Sequence, residues 1–366
     1  MRNKFINLVF TFILITSIIG CGSTEENIPE TTSETTQPES DSFLLISSDT
    51  ISTDLATDYD ILLVDDFDAS STGFIAILDG SDATVNVIDP EGIIISAGDK
   101  GNAPGEFLWP VAVSVSDEGI VAVSDFMLGS VRIYEPGLEY YSELGGFMMA
   151  NPGVIFITSL QSFTGMRIYF KSDVDDTLVG HQTARWTILD SEPNYIYTET
   201  MKPFSINDFG ASIVSPYPMA CNSNGEVFVA DVSRENYILT KYREDGEILW
   251  TQELPFEQIE KTEEEIDIEE AMVQRRIEQS AHQMNFIADP YHFAVLSLAT
   301  GPAGKLWAEI PGHDNTFFDV FDQTSGEYLF SVESIEQYER LEVTPGGIFA
   351  ITEGDVQALI QLELTE

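Results

Sequence analysis

The chain has 366 residues, of which 43% are hydrophobic and 11% aromatic, so it can bury a large core and is not disordered throughout. It carries 62 Asp and Glu residues against 16 Lys and Arg, a formal charge of −46 at pH 7. Such a charge repels phosphate backbones and excludes nucleic acid as a partner. Its two cysteines, Cys21 and Cys221, are too few for a multi-thiolate zinc site.

The first 20 residues have the pattern of an export signal. Arg2 and Lys4 precede an apolar stretch, residues 5–20, that is too short to span a bilayer comfortably. The end of this stretch, Ser-Ile-Ile-Gly-Cys at residues 17–21, resembles the lipobox of bacterial lipoproteins. The resemblance implies that residues 1–20 are removed and that Cys21 becomes an acylated N-terminus, with palmitate among its acyl chains. The alternative is an ordinary cleaved signal with a chance cysteine.

An acylated Cys21 would anchor the protein in a membrane of the cell envelope, because several acyl chains bind far more firmly than one. Gly22 rather than Asp follows the cysteine, which resembles the sorting pattern for the outer membrane in a Gram-negative cell. Residues 22–42 contain one Ile, no aromatic residue and many Thr, Ser, Glu and Pro, so burial cannot offset their ordering entropy. We therefore expect residues 21–42 to form a lipidated, disordered tether that reaches at most about 70 Å.

The remainder, residues 43–366, consists of short apolar runs of period two separated by Gly, Pro, Asn and Asp, as in consecutive antiparallel strands. One element recurs, a glycine followed by about five strand residues and an acid. It occurs at residues 73–79, 119–125, 225–231 and 347–353, with looser copies at 153–159 and 304–309. Further strands complete each copy to a four-stranded antiparallel meander. Six meanders predict an all-β fold, a six-bladed β-propeller whose last blade is completed by residues 43–47 or the segment after them.

Residues 98–137 carry the most specific pattern. A glycine-rich turn leads to Gly105-Glu106-Phe107 and Pro110, then to a strand, Asp-Glu-Gly, a second strand ending in Asp125, and Arg-Ile-Tyr. This order resembles an NHL repeat, and residues 216–246 are a looser copy. The chain thus resembles the NHL-type six-bladed propeller lipoproteins of bacterial cell envelopes, a family whose members mostly lack an assigned activity.

One segment breaks the strand pattern. In an insertion at about residues 256–285, apolar residues recur at intervals of three, four and seven, which predicts an amphipathic α-helix. These positions are Ile259, Ile266, Val273, Ile277, Ala281 and Met284. The helix is either a lid or partner-binding element at the channel mouth, or a solvated helix that packs its apolar stripe on the propeller flank. We favour the second interpretation.

In a propeller, the hairpins after each second strand share one face with the loops that join the blades. The acids that end the second strands should therefore ring one face, close to the loop before the second blade and to the equivalent hairpin of the fifth. The candidate residues for ligand or cation binding on this face are Asp79, Asp125, Asp231, Glu353, His313, Glu106 and Trp109. Trp109 is the tryptophan best placed to stack on a sugar.

Two interpretations of the recurring acids compete. They could bind Ca²⁺ or another divalent cation, or serve a metal-dependent hydrolase or lyase of the lactonase or amidating-lyase type. Alternatively, each acid caps its own turn, with Asp125 pairing with Arg132 across the hairpin. We favour turn caps, because a catalytic residue is usually unique whereas these acids recur. The four histidines have no metal-ligand spacing, so no cofactor is assigned.

No Gly-x-Ser-x-Gly, P-loop or GxGxxG motif occurs, so neither a serine hydrolase nor a nucleotide-binding protein is supported. We therefore predict a non-enzymatic, lipid-anchored binding module whose acidic face binds a protein, peptide or glycan of the cell envelope. The alternative is a metal-dependent hydrolase or lyase with its site at the channel mouth. The excess of acids fits a salt-rich habitat as well as a cationic partner.

Overall fold

A computed structural model of the protein describes residues 42–145, 153–172, 177–187, 193–198, 202–203, 214–279, 286–312, 315–354 and 356–365. The predicted signal peptide, Cys21 and the tether up to residue 41 lie outside these ranges, as does His313. The described residues form 25 strands in five sheets.

Three sheets are antiparallel meanders of four strands in chain order. The first contains β2 (Val64–Ala69), β3 (Ile75–Asp79), β4 (Thr84–Ile88) and β5 (Ile94–Ala97). The second contains β6 (Pro110–Val115), β7 (Val121–Asp125), β8 (Ser130–Tyr134) and β9 (Tyr140–Gly145). The third contains β15 (Met219–Cys221), β16 (Val227–Ala230), β17 (Tyr237–Tyr242) and β18 (Ile248–Leu254). In each, the second strand is buried along its whole length, as its run of Val, Ile, Ala and Phe predicts.

A fourth sheet has five strands. It contains β10 (Val154–Ser159), β11 (Ser162–Ser172), β12 (Thr177–Thr187) and β13 (Asn194–Thr198), and the short β14 (Lys202–Pro203) also pairs with β12. Its first four strands are again an antiparallel meander in chain order.

The fifth sheet has eight strands in two antiparallel halves. One half contains β19 (Ser297–Gly301), β20 (Lys305–Ile310), β21 (Thr316–Asp322) and β22 (Tyr328–Ser334). The other contains β23 (Arg340–Thr344), β24 (Gly347–Ile351), β25 (Leu359–Thr365) and β1 (Ser42–Ser52). A short parallel contact between β1 and β22 joins the halves. β1 pairs antiparallel with β25, which confirms the predicted use of residues 43–47 to complete the last meander.

The first strands of the meanders bring the sheets together. Each contacts the first strand of the next meander along the chain, and the last returns to the first. The contacts are β2 with β6, β6 with β10, β10 with β15, β15 with β19, β19 with β23, and β23 with β2. Apolar side chains fill the layers between neighbouring sheets, as where Leu78 and Val85 pack with Val113 and Val123. This arrangement supports an all-β, propeller-type architecture.

The predicted amphipathic helix is present at Glu263–Gln279. It begins with a capping box, in which Thr262 Oγ1 accepts a hydrogen bond from the Glu265 N–H (3.2 Å) and Glu265 Oε2 accepts one from the Thr262 N–H (2.6 Å). Val273 is fully buried, whereas Met272 is 41% exposed. Glu269 forms an ion pair with Lys261, which precedes the helix in the same inserted segment, so part of the helix's stabilisation comes from within that segment.

Two shorter helical segments are also described. Leu55–Tyr59 is an α-helix whose first turn is capped by Asp54, which accepts a hydrogen bond from the Thr57 N–H at 3.1 Å. Pro302–Gly304 is a 3₁₀ turn between β19 and β20. None of the helices in the described ranges is both long and apolar enough to cross a membrane.

Candidate functional site

Asp125 ends the second strand of its meander and is fully buried. One carboxylate oxygen accepts hydrogen bonds from the backbone N–H groups of Leu108 (2.7 Å) and Trp109 (3.1 Å). The other accepts one from the N–H of Leu128 (2.9 Å) in the following hairpin. The carboxylate therefore joins the hairpin to the loop that enters the same sheet, and it is committed to backbone donors rather than open to a ligand.

Asp79 occupies the equivalent position in the preceding meander and is also fully buried. Its Oδ2 accepts a hydrogen bond from the Leu62 N–H (2.6 Å), and its Oδ1 accepts from the N–H (2.9 Å) and hydroxyl (2.7 Å) of Ser81. The same anchoring geometry thus occurs twice, in agreement with the turn-cap interpretation. Arg132 pairs with Glu143 (3.4 Å) rather than with Asp125, so the expected pairing across the hairpin was wrong.

The other predicted residues that the structure describes are less buried than Asp79 and Asp125. Asp231 is half-buried, while Glu353 is exposed and the Thr352 hydroxyl accepts the local N–H bond from Ala358 (2.9 Å). Glu106 accepts a hydrogen bond from Ala103 within its own loop (2.9 Å). Within the described ranges, no group of three or more His, Cys, Asp or Glu side chains is placed to hold a metal ion. The described acids of the predicted ring therefore do not form a metal-binding cluster.

The anchored loops and hairpins present large apolar side chains to solvent. We call this set the apolar loop patch; its members are Leu62, Leu63, Leu108, Trp109, Phe126 and Met127, which are 41–61% exposed. The rings of Trp109 and Phe126 meet edge to face at 5.4 Å, and the Phe126 N–H donates to the Trp109 carbonyl at 2.9 Å. The members lie at one end of the strands of the first two meanders, on the face predicted to carry the site.

A second group of acids, which the sequence reasoning missed, lies on the first strands. The Arg340 guanidinium lies between two carboxylates, 2.7 Å from Asp66 Oδ1 and 3.0 Å from Glu342 Oε1. Burial raises the pKa of Glu342 to about 8, the nearby Arg340 opposes this, and Asp66 adds to it. One cation therefore offsets two carboxylates, which favours protonation of Glu342 near neutral pH.

Asp66 and Asp68 also bond the neighbouring sheet. Asp66 Oδ2 accepts from the Val113 N–H (2.8 Å), and Asp68 Oδ2 accepts from the Val115 N–H (2.9 Å), so these acids satisfy donors at the inner edge of β6. Burial raises the pKa of Asp68 to about 6. The sequence signal was present, since Asp66 and Asp68 occupy alternate positions of β2 and so place charge on one face of that strand.

A cavity of about 540 Å³ opens at the other end of the strands from the apolar loop patch. The hairpins between first and second strands line it, with residues such as Ser71, Ser116, Ser223, Ala303 and Pro345. Every meander contributes to this lining. The predicted site was placed on the opposite face, because the reasoning followed the recurring acids rather than the polar residues of these hairpins.

Comparison with known proteins adds evidence on the fold. No protein-family model matches the chain, and no curated protein does either. The structure is similar to that of a member of the DUF4221 family from Bacteroides vulgatus ATCC 8482, with 9% identity, a TM-score of 0.54, and 88% of this chain and 98% of that one covered. It is also similar to a protein from Bacteroides fragilis NCTC 9343 named as exported, with 12% identity, a TM-score of 0.50, and coverage of 89% and 99%.

A weaker likeness extends to virginiamycin B lyase from Staphylococcus aureus, with 11% identity, a TM-score of 0.43, and coverage of 88% and 100%. At these identities the comparisons establish the fold alone. The strand order and the cycle of contacts between first strands define the chain as a mostly β protein of the propeller type. The resemblance to NHL repeats stays a prediction.

Proposed function

We propose that this protein is a lipid-anchored, six-bladed NHL-type β-propeller of the cell envelope that acts as a binding module rather than an enzyme. The cycle of six contacting first strands supports six blades, if the eight-stranded sheet is counted as two blades joined by their short parallel contact. Residues 98–137 support the NHL assignment, because Phe107 of the loop is fully buried and Arg132 lies over its ring at 5.6 Å.

The anchor in this proposal is Cys21, acylated after removal of residues 1–20 and placed in the outer membrane if the cell is Gram-negative. The support is the lipobox-like sequence at residues 17–21 and the acidic, aromatic-free segment that follows it. The structural relative from Bacteroides fragilis is itself named as exported, which agrees with an envelope location.

The observation that carries the binding function is the apolar loop patch. Asp79 and Asp125 are buried beneath it and hold the backbone of Leu62, Leu108 and Trp109, so little ordering is needed when a partner binds. Exposed aromatic and aliphatic side chains grouped on one face are typical of protein interaction sites, with Trp as a favoured anchor.

The negative charge around the apolar loop patch favours a positively charged partner. Asp60, Asp82 and Asp99 are exposed in the same loops and hairpins, beside Lys100, and the whole chain carries −46. A partner that combines apolar side chains with Lys or Arg therefore complements the patch, and we propose a cationic, amphipathic segment of an envelope protein or peptide. A glycan fits this patch less well, because its apolar members offer few hydrogen-bonding groups.

The metal-dependent hydrolase or lyase remains the alternative to be tested. Ca²⁺ or another divalent cation would need acceptor oxygens, and the carboxylates of Asp79 and Asp125 are already occupied by N–H donors. Metal analysis of the dialysed protein addresses this directly. A divalent ion retained in stoichiometric amount would favour the alternative over the binding module.

The test of the proposal uses the full-length protein in nanodiscs and a synthetic amphipathic helix made of leucine and lysine. We expect saturable binding that Trp109→Ser combined with Met127→Ser weakens by about tenfold or more, since these residues are central anchors. Ile248→Ser, which removes a 57% exposed side chain from the outer strand β18, should leave binding unchanged. Equal loss in both variants, or equal binding of a leucine and glutamate helix, would overturn the proposed partner class.

A further inference from the structure

The cavity at the far end of the strands has the size of a ligand site. Its volume of about 540 Å³ lies within the range of roughly 300–1,000 Å³ that small-molecule sites occupy. It lies where the first hairpins of all the meanders converge, so its walls come from several hairpins and strand ends rather than from one long loop. It is separate from the apolar loop patch and does not depend on the proposed partner.

Most charged groups of the cavity wall are matched by protein partners. The carboxylate of Glu118 is the exception among the described lining residues, and it is exposed to water, which screens its charge. Asp68 Oδ2 accepts hydrogen bonds from Ser114 Oγ (3.1 Å) and the Val115 N–H (2.9 Å). Asp117 Oδ1 accepts from both the N–H (2.9 Å) and the hydroxyl (2.7 Å) of Ser71.

The cation of the wall is matched as well. Arg185 forms an ion pair with Glu244. A charged ligand would have to compete with these internal bonds and would gain little net energy from them.

Neutral hydrogen-bonding groups are left for a ligand. Ser116 Oγ accepts from the N–H groups of Glu118 and Ile120, both at 3.2 Å, which leaves its own O–H free to donate. Among the residues that the structure describes, the side chains of Ser223 and Asn224 have no hydrogen-bond partner in the protein. Hydroxyl and amide groups of this kind both donate and accept, as the hydroxyls of a sugar do.

One wall of the cavity is apolar. Phe156 contributes a half-buried ring, and Cys221 lies beside it with a thiol whose pKa burial raises to about 12. A thiol in that state is a small apolar group and not a nucleophile. The cavity thus combines neutral polar groups with an aromatic surface, the combination that suits a ring with hydroxyls at its edge and C–H groups on its face.

We propose that this cavity binds an uncharged, hydroxyl-rich ligand, a saccharide of one or two units. This gives the protein a second binding function, for a small molecule, at the end opposite to its protein-binding face. The proposal includes no chemical step, and its residues are wall groups that hydrogen-bond or pack against the ligand.

Calorimetric titration of the full-length protein in nanodiscs tests this proposal. The probes are neutral hexoses, N-acetylhexosamines and their disaccharides, with the matching uronic acids and amino sugars as charged arms. We expect saturable binding of at least one neutral saccharide and weaker binding of its charged counterparts. Ser223→Trp, which places a large side chain in the cavity, should weaken binding by about tenfold or more. Ile248→Trp adds the same side chain on the outer strand β18 and should have no effect.

A thermal melt of each variant shows whether it is folded, and Asn224→Ala supplies a second variant that removes an amide without adding bulk. This variant should weaken binding by about threefold to tenfold, the value of one hydrogen bond. The proposal is overturned if no neutral saccharide binds saturably, if a charged arm binds more tightly, or if folded Ser223→Trp binds as the parent does. Loss of peptide binding by the Trp109 and Met127 variants should not change any of these results, so the two proposals fail separately.

Discussion

The backbone N–H of Trp109 donates a hydrogen bond to the carboxylate of Asp125 at 3.1 Å, so a fully buried acid holds a residue whose side chain is 44% exposed. The usual distribution of polar and apolar groups is inverted at this point. The negative charge lies inside, where three N–H groups satisfy it, and the indole lies outside. An exposed apolar surface of this kind is a liability for solubility, and it is the reason for proposing that this surface binds a partner.

Replacing Asp125 by alanine tests its anchoring role. Asp125→Ala leaves the N–H groups of Leu108, Trp109 and Leu128 without their acceptor, and we expect it to lower the free energy of unfolding by about 2 kcal/mol or more. Glu353→Ala, at the equivalent position of the last meander, removes an exposed carboxylate and should change it by less than about 0.5 kcal/mol. Urea denaturation measures both, and similar losses in the two variants would contradict the anchoring role.

Gly98 opens the loop that carries Trp109, and its backbone is in the left-handed region with φ at +103°. A Cβ there would lie 2.7 Å from the Phe107 ring and 2.8 Å from the Ala83 carbonyl oxygen. Gly92 has a similar φ of +81° but open space around the same position. Both Gly→Ala variants should lose about 1 kcal/mol from backbone strain, and Gly98→Ala should lose about 1–3 kcal/mol more from the clash. Equal melting temperatures of the two variants would contradict the expected clash at Gly98 and show that the loop shifts to accommodate the added Cβ.

The strands and the meander order could be predicted because their signals are local. The period of two in residues 121–125 and the glycine before them give a buried strand and its turn, and β7 is found at Val121–Asp125. The place of Asp125 at the strand end follows from the same pattern. What could not be read from spacing was the partner of its carboxylate, since the donors Leu108 and Trp109 lie 17 and 16 residues upstream in a loop of irregular shape.

The acids on the first strands and the cavity were missed for a different reason. Asp66 and Arg340 are 274 residues apart and meet only because the first and last meanders are neighbours. The cavity likewise exists only where all the first hairpins converge. Such sites depend on how the sheets are arranged around one another, which a repeat pattern in one sequence does not give. The acids at alternate positions of β2 indicate a charged face on this strand, but they do not predict that Arg340 is the residue that pairs with Asp66.

The raised pKa values on the first strands predict a pH dependence of stability. A carboxyl whose pKa is higher in the folded state binds its proton more tightly there, so its contribution is present at low pH and lost as pH rises through the folded pKa. For Asp68 that pKa is about 6, and for Glu342 it is about 8. We therefore expect the melting temperature to fall steadily as the pH is raised from about 5 to about 8.5.

Glu342→Gln isolates the upper part of this dependence. The amide keeps a hydrogen bond to Arg340 and removes the charge, so the variant should melt at a higher temperature than the parent at about pH 8.5 and at nearly the same temperature at about pH 5. The gain is moderated because 35% of the Glu342 side chain is exposed and water screens its charge. Glu91→Gln removes the same charge from an exposed hairpin, and a gain of equal size there would point to net charge as the cause.

The proposed lipid anchor gives a prediction about the two cysteines. Cys21→Ser should abolish incorporation of labelled palmitate and release the protein from the membrane fraction, because serine lacks the thiol that would carry the acyl chains. Cys221→Ala should keep both the label and the membrane association, since the Cys221 thiol is buried in a sheet. Palmitate label and membrane association that survive Cys21→Ser would reject the anchor.

β1 and β25 lie side by side, with Leu45 opposite Leu364, so the two ends of the folded part are hydrogen-bonded partners. A chain that crosses a membrane with its N-terminus leading cannot form this pair until its final strand has also emerged. Until then β1 and β24 are open edges, which are prone to pair with other chains. If the protein is exported as proposed, every partly translocated molecule is incompletely folded, and its protection from aggregation has to come from outside the chain.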